Sequence, residues 1–202
     1  FTMSANGGKA TRITFSSESE TPEAFTPDGK EIIYSAALQD PASSAMFPSR
    51  RLTELYSIPV KGGRTKMVIA SPAQMISYTT DGESFLYQDQ KGMENEWRKH
   101  HTSSITRDLW HYNSTTGKHT QLTSWAGEDR NPIYADGDKT IYFLSERGGT
   151  YNVWSMPADN TKAAKQVTKF ATHPVRFLSM ADNGTLCFGY NGEIYTMAAG
   201  GS

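Results

Sequence analysis

Apolar and polar residues alternate over short stretches of this chain, and the stretches recur. Leu55-Tyr56-Ser57-Ile58 and Val153-Trp154-Ser155-Met156 show the period of two that predicts half-buried β-strands. Each belongs to a longer element: FTMSANGGKATRIT (1–14), LYSIPVKGGRTKMVI (55–69), LWHYNSTTGKHTQLT (109–123), VWSMPADNTKAAKQVT (153–168), beginning once more at IYTMAAGG (194–201). A second element alternates with it: FTPDGKEIIYS (25–35), YTTDGESFLYQ (78–88), YADGDKTIYFLS (134–145) and ADNGTLCFGY (181–190). Asp-Gly and Asn-Gly between β-rich segments mark hairpin turns, because both residues accept positive φ.

Two hairpins therefore recur every 45 to 55 residues or so, giving four strands per period, A to D. Four-stranded units of this length with aromatics at fixed places describe β-propeller blades. The predicted fold is all-β, with a partial blade at 1–15, blades at 16–69, 70–123 and 124–168, and a partial blade at 169–202. Both ends fall on a strand C, so the expected arrangement is an open arc of about four blades from a six- or seven-bladed ring. Strand C aligns Phe1, Tyr56, Trp110, Trp154 and Tyr195 as plates between blades. Strand B aligns Tyr34, Tyr87, Tyr142 and Phe188, preceded by Ile33, Leu86, Ile141 and Cys187. That column makes Cys187 a small buried hydrophobe rather than a nucleophile.

Aromatics at 11% with frequent Gly and Pro fit many short strands better than a helical bundle. A net charge of −1 offers no field for nucleic acid or an anionic membrane. One cysteine excludes an internal disulfide, and no apolar run reaches the roughly 18 residues of a membrane span.

Strands in a blade run antiparallel, so the B–C and D–A connections share one face, and these are the long ones. The B–C insertions are 36–51 and 89–108; the main D–A connections are 16–23, 124–132 and 169–176. Long loops on one face of a repeat scaffold are the usual place for binding. Binding candidates there are Arg51, Trp97, Arg98, His100, His101, Glu128, Asp129, Arg130, Asn131, His173 and Arg176. In GEDRNP (127–132) the charged residues either reach an axial channel or form an Arg–carboxylate pair that fixes the loop. His100 and His101 are adjacent and point opposite ways in extended chain, and no zinc spacing occurs, so no metal is assigned. No nucleophile elbow, phosphate loop or dinucleotide fingerprint is present, so no catalytic residue or cofactor is assigned. Asn113-Ser114-Thr115 and Asn183-Gly184-Thr185 match glycosylation sequons but are turn positions of the repeat.

TPDGKEIIYS, LYSIPVKGGRTKMVI and VWSMPADN resemble TolB-like and tricorn-type propeller repeats. The longer stretches 96–132 and 172–196 resemble the N-terminal propeller of bacterial tricorn-like serine peptidases, typified by Bacteroides-type secreted or periplasmic members. The resemblance implies a non-catalytic segment that binds or gates polypeptide on its way to downstream PDZ-like and peptidase domains. It also implies a periplasmic or secreted parent. Two alternatives stay open: a stand-alone TolB-like protein-binding scaffold, and a polysaccharide lyase using His100, His101 and His173 around a metal. Open blade edges lead one to expect self-association.

Overall fold

The computed structural model describes residues 1–38, 52–93, 95, 97, 98, 100 and 102–200. Arg51 and His101, both candidates above, lie outside the described residues. The described residues form fifteen β-strands in four antiparallel meanders. The first sheet contains β1 (Glu20–Phe25), β2 (Glu31–Ala36), β3 (Glu54–Pro59) and β4 (Lys66–Ile69) in chain order. The second contains β5 (Ala73–Tyr78), β6 (Ser84–Asp89), β7 (Leu109–Asn113) and β8 (Lys118–Gln121). The third contains β9 (Asp129–Ala135), β10 (Thr140–Ser145), β11 (Asn152–Pro157) and β12 (Lys165–Gln166). The fourth has three strands, β13 (Arg176–Met180), β14 (Thr185–Tyr190) and β15 (Glu193–Ala198). This is the meander of propeller blades, as the hairpin repeat predicts. Two compact units result, Phe1–Gln74 around the first sheet and Met75–Ser202 around the other three.

The turn chemistry explains the hairpins. Asp28 accepts bonds from Thr26 Oγ1 (2.7 Å) and the Lys30 amide (3.1 Å), and Gly29 takes a φ of 66°. Its Lys30 and Thr26 partners hold the Asp28 carboxyl down at about 2. Thr79, Asp81 and Gly82 repeat the device, with Asp81 accepting from Thr79 Oγ1 at 2.7 Å and from the Glu83 amide at 2.9 Å. The third hairpin differs: Asp136, Gly137 and Asp138 all have positive φ, and Asp138 accepts from the amide and hydroxyl of Thr80.

This turn corrects the strand-B alignment. Tyr34 pairs with Tyr56, Tyr87 with Trp110 and Phe188 with Tyr195, but Trp154 pairs with Phe143, not with Tyr142. The third plate is therefore Phe143, and the preceding column is Ile33, Leu86, Tyr142 and Cys187. The cause is that Asp138 and Lys139 both separate Asp136-Gly137 from the strand that follows, whereas Lys30 alone separates Asp28-Gly29 from it, so counting from Asp-Gly slips by one.

In the larger unit the sheets pack through the two faces these columns define. Leu86 and Leu109 of the second sheet meet Ile141, Phe143 and Met156 of the third. Tyr142, Leu144 and Val153 on the other face of the third meet Leu186 and Phe188 of the fourth. Cys187 is half-buried rather than buried; its neighbours Leu186 and Phe188, on the opposite face of the fourth sheet, are the ones that enter the core. Phe1, expected as a plate, is exposed, since residues 1–14 form only the single bridge Thr2–Thr11. In the smaller unit Ile13 packs with Tyr34, Ala36, Tyr56 and Ile58.

The second sheet carries a pH-sensitive plate. His119 Nδ1 lies 2.8 Å from the Tyr87 hydroxyl, and its ring packs 4.7 Å from that of Tyr112. Burial holds His119, and likewise His111, below the ordinary histidine value of 6.5. A depressed histidine stabilises the fold when neutral, so this contribution is complete above pH 6.5 and is lost as pH falls through the folded value. Asp89 and Asp129, both pushed up by burial, act in the opposite sense. The effect is therefore read as a difference: the melting temperature of wild type relative to His119→Gln should decline from neutral to mildly acidic pH. A constant difference would mean that His119 keeps its ordinary titration.

Candidate functional site

The larger unit concentrates its irregular backbone and its charges at the first strands of its sheets. In β9 and β13 a bulge sets two residues against one: Asn131 and Pro132 face Phe143, and Phe177 and Leu178 face Phe188. The first residue of each bulge is left-handed, with φ of 51° at Asn131 and 58° at Phe177. Met75 in β5 has φ of 55°. Glycine is the residue that such a bulge favours, and a bulky side chain there costs about 1–2 kcal/mol. Three sheets accept that cost. Arg130 and Arg176 stand immediately before the bulge, in equivalent positions opposite Leu144 and Gly189.

The strained residues are held from beneath and meet one another at the surface. Buried Gln88 accepts the Asn131 amide at 3.0 Å, and the Asn131 side-chain amide reaches Met75 Sδ at 3.5 Å. Phe177 lies over Gly189, where a Cβ would come within 3.3 Å of the ring. Phe177 is 68% exposed and packs edge-on against Trp97, itself 61% exposed, at 6.1 Å. The Arg176 guanidinium sits 4.8 Å above the Trp97 ring and donates to the Trp97 carbonyl at 3.3 Å. A cavity of about 60 Å³ opens among Met75, Trp97, Arg130, Asn131, Tyr151 and Phe177.

Below this surface runs a buried ionic layer. Glu128 is bonded by Arg107, lies 3.5 Å from Arg130 Nε, and takes the Tyr151 hydroxyl. Burial and the charges of Glu128 and Glu146 raise Tyr151 strongly, which keeps it a phenol. Asp129 accepts from Arg147 Nη2 at 2.5 Å. The Arg147 guanidinium lies within 6 Å of the rings of Trp125, Phe143 and Trp154. Trp125 lies flat on Gly127, where a Cβ would fall 2.0 Å from its ring, so only glycine fits.

Of the two readings of GEDRNP, the ion pairs match the Arg–carboxylate one: Glu128 and Asp129 are buried and paired with arginines beneath the surface, while Arg130, also buried, borders the cavity beside Asn131. Two of their partners, Arg107 and Arg147, were not among the sequence candidates. His100 is exposed, has left-handed φ of 52° and donates its amide to Glu146 at 2.7 Å, while Arg98 is half-buried and His173 is exposed. His173 meets the Tyr190 ring at 6.0 Å. Among the described residues no group of three or more His, Cys, Asp or Glu is placed to hold a metal. The foot of the 89–108 insertion is pinned: Lys91 bonds Asp108 at 2.5 Å and the Thr106 carbonyl at 2.7 Å, and Trp110 Nε1 donates to Asp89 at 3.0 Å.

These antiparallel meanders have counterparts among known proteins. The model of the tricorn protease N-terminal β-propeller domain matches residues 1–201. The chain belongs to this family. The fold is shared with TolB from Acinetobacter baumannii, with a TM-score of 0.70 at 16% identity, over 96% of this chain and 44% of that one. The tricorn protease itself gives 0.51 at 14% identity, over 92% of this chain and 22% of that one. Uncharacterized protein Atu1656 of Agrobacterium fabrum is 24% identical over 112 residues, 55% of this chain and 34% of its own length. The chain thus spans less than half of each of these relatives. No helix among the described residues is long and apolar enough to cross a membrane.

Proposed function

We propose that this propeller is a non-catalytic, polypeptide-binding segment of a tricorn-like serine peptidase, gating substrate towards downstream PDZ-like and peptidase domains in the periplasm or outside the cell. The observation that carries the reading is the strained row on the first strands. Met75, Asn131 and Phe177 occupy left-handed positions where glycine would be more stable, and Phe177 offers its ring to solvent beside Trp97. Strain retained at an exposed aromatic surface, on a rigid ionic base, suits a site that grips apolar side chains of extended chain. Family membership supports the same reading.

The test separates binding from folding. Phe177→Gly relieves the left-handed strain, so the fold should be kept or strengthened by up to about 1 kcal/mol. Its affinity for a fluorescent, permanently unfolded protein such as reduced, carboxymethylated lactalbumin, read by anisotropy, should fall about fivefold or more. Absence of binding by wild type, or unchanged binding by the variant, overturns the proposal. The TolB likeness, the strongest of the structural matches given above, favours a second reading in which the same surface holds a folded partner as a scaffold. The two are told apart by whether the parent reading frame encodes a peptidase domain.

A further inference from the structure

The chain supplies an occupant for its own strained surface. The 89–108 insertion is rooted in the second sheet, where Lys91 near one end bonds the Thr106 carbonyl and Asp108 at the other. From that root it touches the third sheet's B–C connection, through the His100 amide on Glu146, and the fourth sheet, through Trp97 on β13. Arg176, which donates to the Trp97 carbonyl, lies 79 residues further along the chain.

Arg176 and Phe177 hold Trp97 as they would hold one residue of an incoming polypeptide. The guanidinium lies 4.8 Å above the indole, and the Phe177 ring meets it edge-on at 6.1 Å. The main-chain carbonyl of the same residue takes a bond from Arg176. A ring and a backbone acceptor are thus bound together, and neither contact depends on the rest of the insertion. The indole borders the cavity of about 60 Å³, whose floor is Leu144, Tyr151 and Val175 of the core. Trp97 stays 61% exposed, so its contacts are of the weak, solvated kind. A cation–π contact and an edge-on ring of that kind favour the seated indole only about tenfold.

Resting on the reading of this surface as polypeptide-binding, the geometry points to an aromatic subsite on β13 that Trp97 occupies in the free protein. Arg176, Phe177 and the cavity beneath them take a tryptophan, tyrosine or phenylalanine ring from the substrate, and Trp97 leaves as that ring enters. Trp97 is therefore a competitor rather than a contact. It also sharpens specificity, because a side chain that cannot stack under the guanidinium gains too little to displace one that does. A site open about one time in ten binds about tenfold more weakly than its intrinsic affinity.

Trp97→Ala should therefore bind the labelled, carboxymethylated lactalbumin about fivefold or more tightly than wild type. Trp97→Phe, which keeps a ring to seat, should stay within about twofold of wild type. Trp97 is exposed, so both variants keep the fold. Two fluorescein-labelled Gly-Ser peptides that differ only in carrying two phenylalanines or two leucines read the subsite itself. On Trp97→Ala the phenylalanine peptide should bind about fivefold more tightly than the leucine peptide. Unchanged or weaker lactalbumin binding by Trp97→Ala, or no preference between the peptides, overturns the subsite and leaves the polypeptide-binding reading standing. Absence of lactalbumin binding by wild type overturns that reading, and the subsite with it.

Discussion

Glu128→Ala should cost about 3–5 kcal/mol, the penalty for stranding a buried charge, and make the larger unit the first part of the chain to melt. Glu128 is the anion shared by Arg107 and Arg130, and all three are buried. Without it two guanidinium groups face each other in a region that excludes water, with the Tyr151 hydroxyl left beside them. The attraction within such a cluster repays its desolvation only while every member is present. Glu128→Gln keeps the shape and an acceptor but loses the charge, so it should fall between wild type and the alanine variant. Replacing Arg107 and Glu128 together by Met and Leu should recover part of the loss, because buried pairs exchange for apolar side chains at little cost. Urea unfolding measures all three. A loss below about 1 kcal/mol for Glu128→Ala would mean that water reaches the cluster and that it behaves as a surface pair.

That layer marks the limit of what the chain reveals on reading. Asp28-Gly29 and Asp81-Gly82 are legible because turn chemistry is local: the carboxylate bonds atoms two residues away. Alternation within strands is equally local, and the four sheets follow from it. Arg107 and Arg147 escape notice because they reach Glu128 and Asp129 from 21 and 18 residues away, across connections with no repeat to align. Nothing in GEDRNP itself says which arginines complete it. The left-handed row escapes for the opposite reason: Met75 and Phe177 run against local preference, so their letters argue for ordinary strand. Only the two-against-one register of β9 and β13 exposes the bulge.

Phe143→Tyr should destabilise the fold by about 1–3 kcal/mol even though two other blades place tyrosine at the same plate. The difference lies one strand away. The Tyr34 hydroxyl meets Thr65 at 2.9 Å, and the Tyr87 hydroxyl meets His119 Nδ1 at 2.8 Å. Thr65 and His119 each stand two residues before the strand-D partner of the plate's neighbour, Met67 and Gln121. In the third blade that partner is Gln166, so the position two residues earlier is Ala164, which packs against the Phe143 cluster and offers no acceptor. A new hydroxyl at fully buried Phe143 would therefore lose its water without gaining a bond. Ala164→Thr should restore most of the loss when combined with Phe143→Tyr, and do little alone. Phe143→Ala, which removes the plate itself, should cost about 3–5 kcal/mol, as deleting a buried aromatic does. Chemical denaturation of wild type, Phe143→Tyr, Ala164→Thr and the double variant forms a double-mutant cycle around one hydroxyl. A neutral Phe143→Tyr, or an Ala164→Thr that gives no rescue, would show that the plates are not governed by the strand-D residue opposite them.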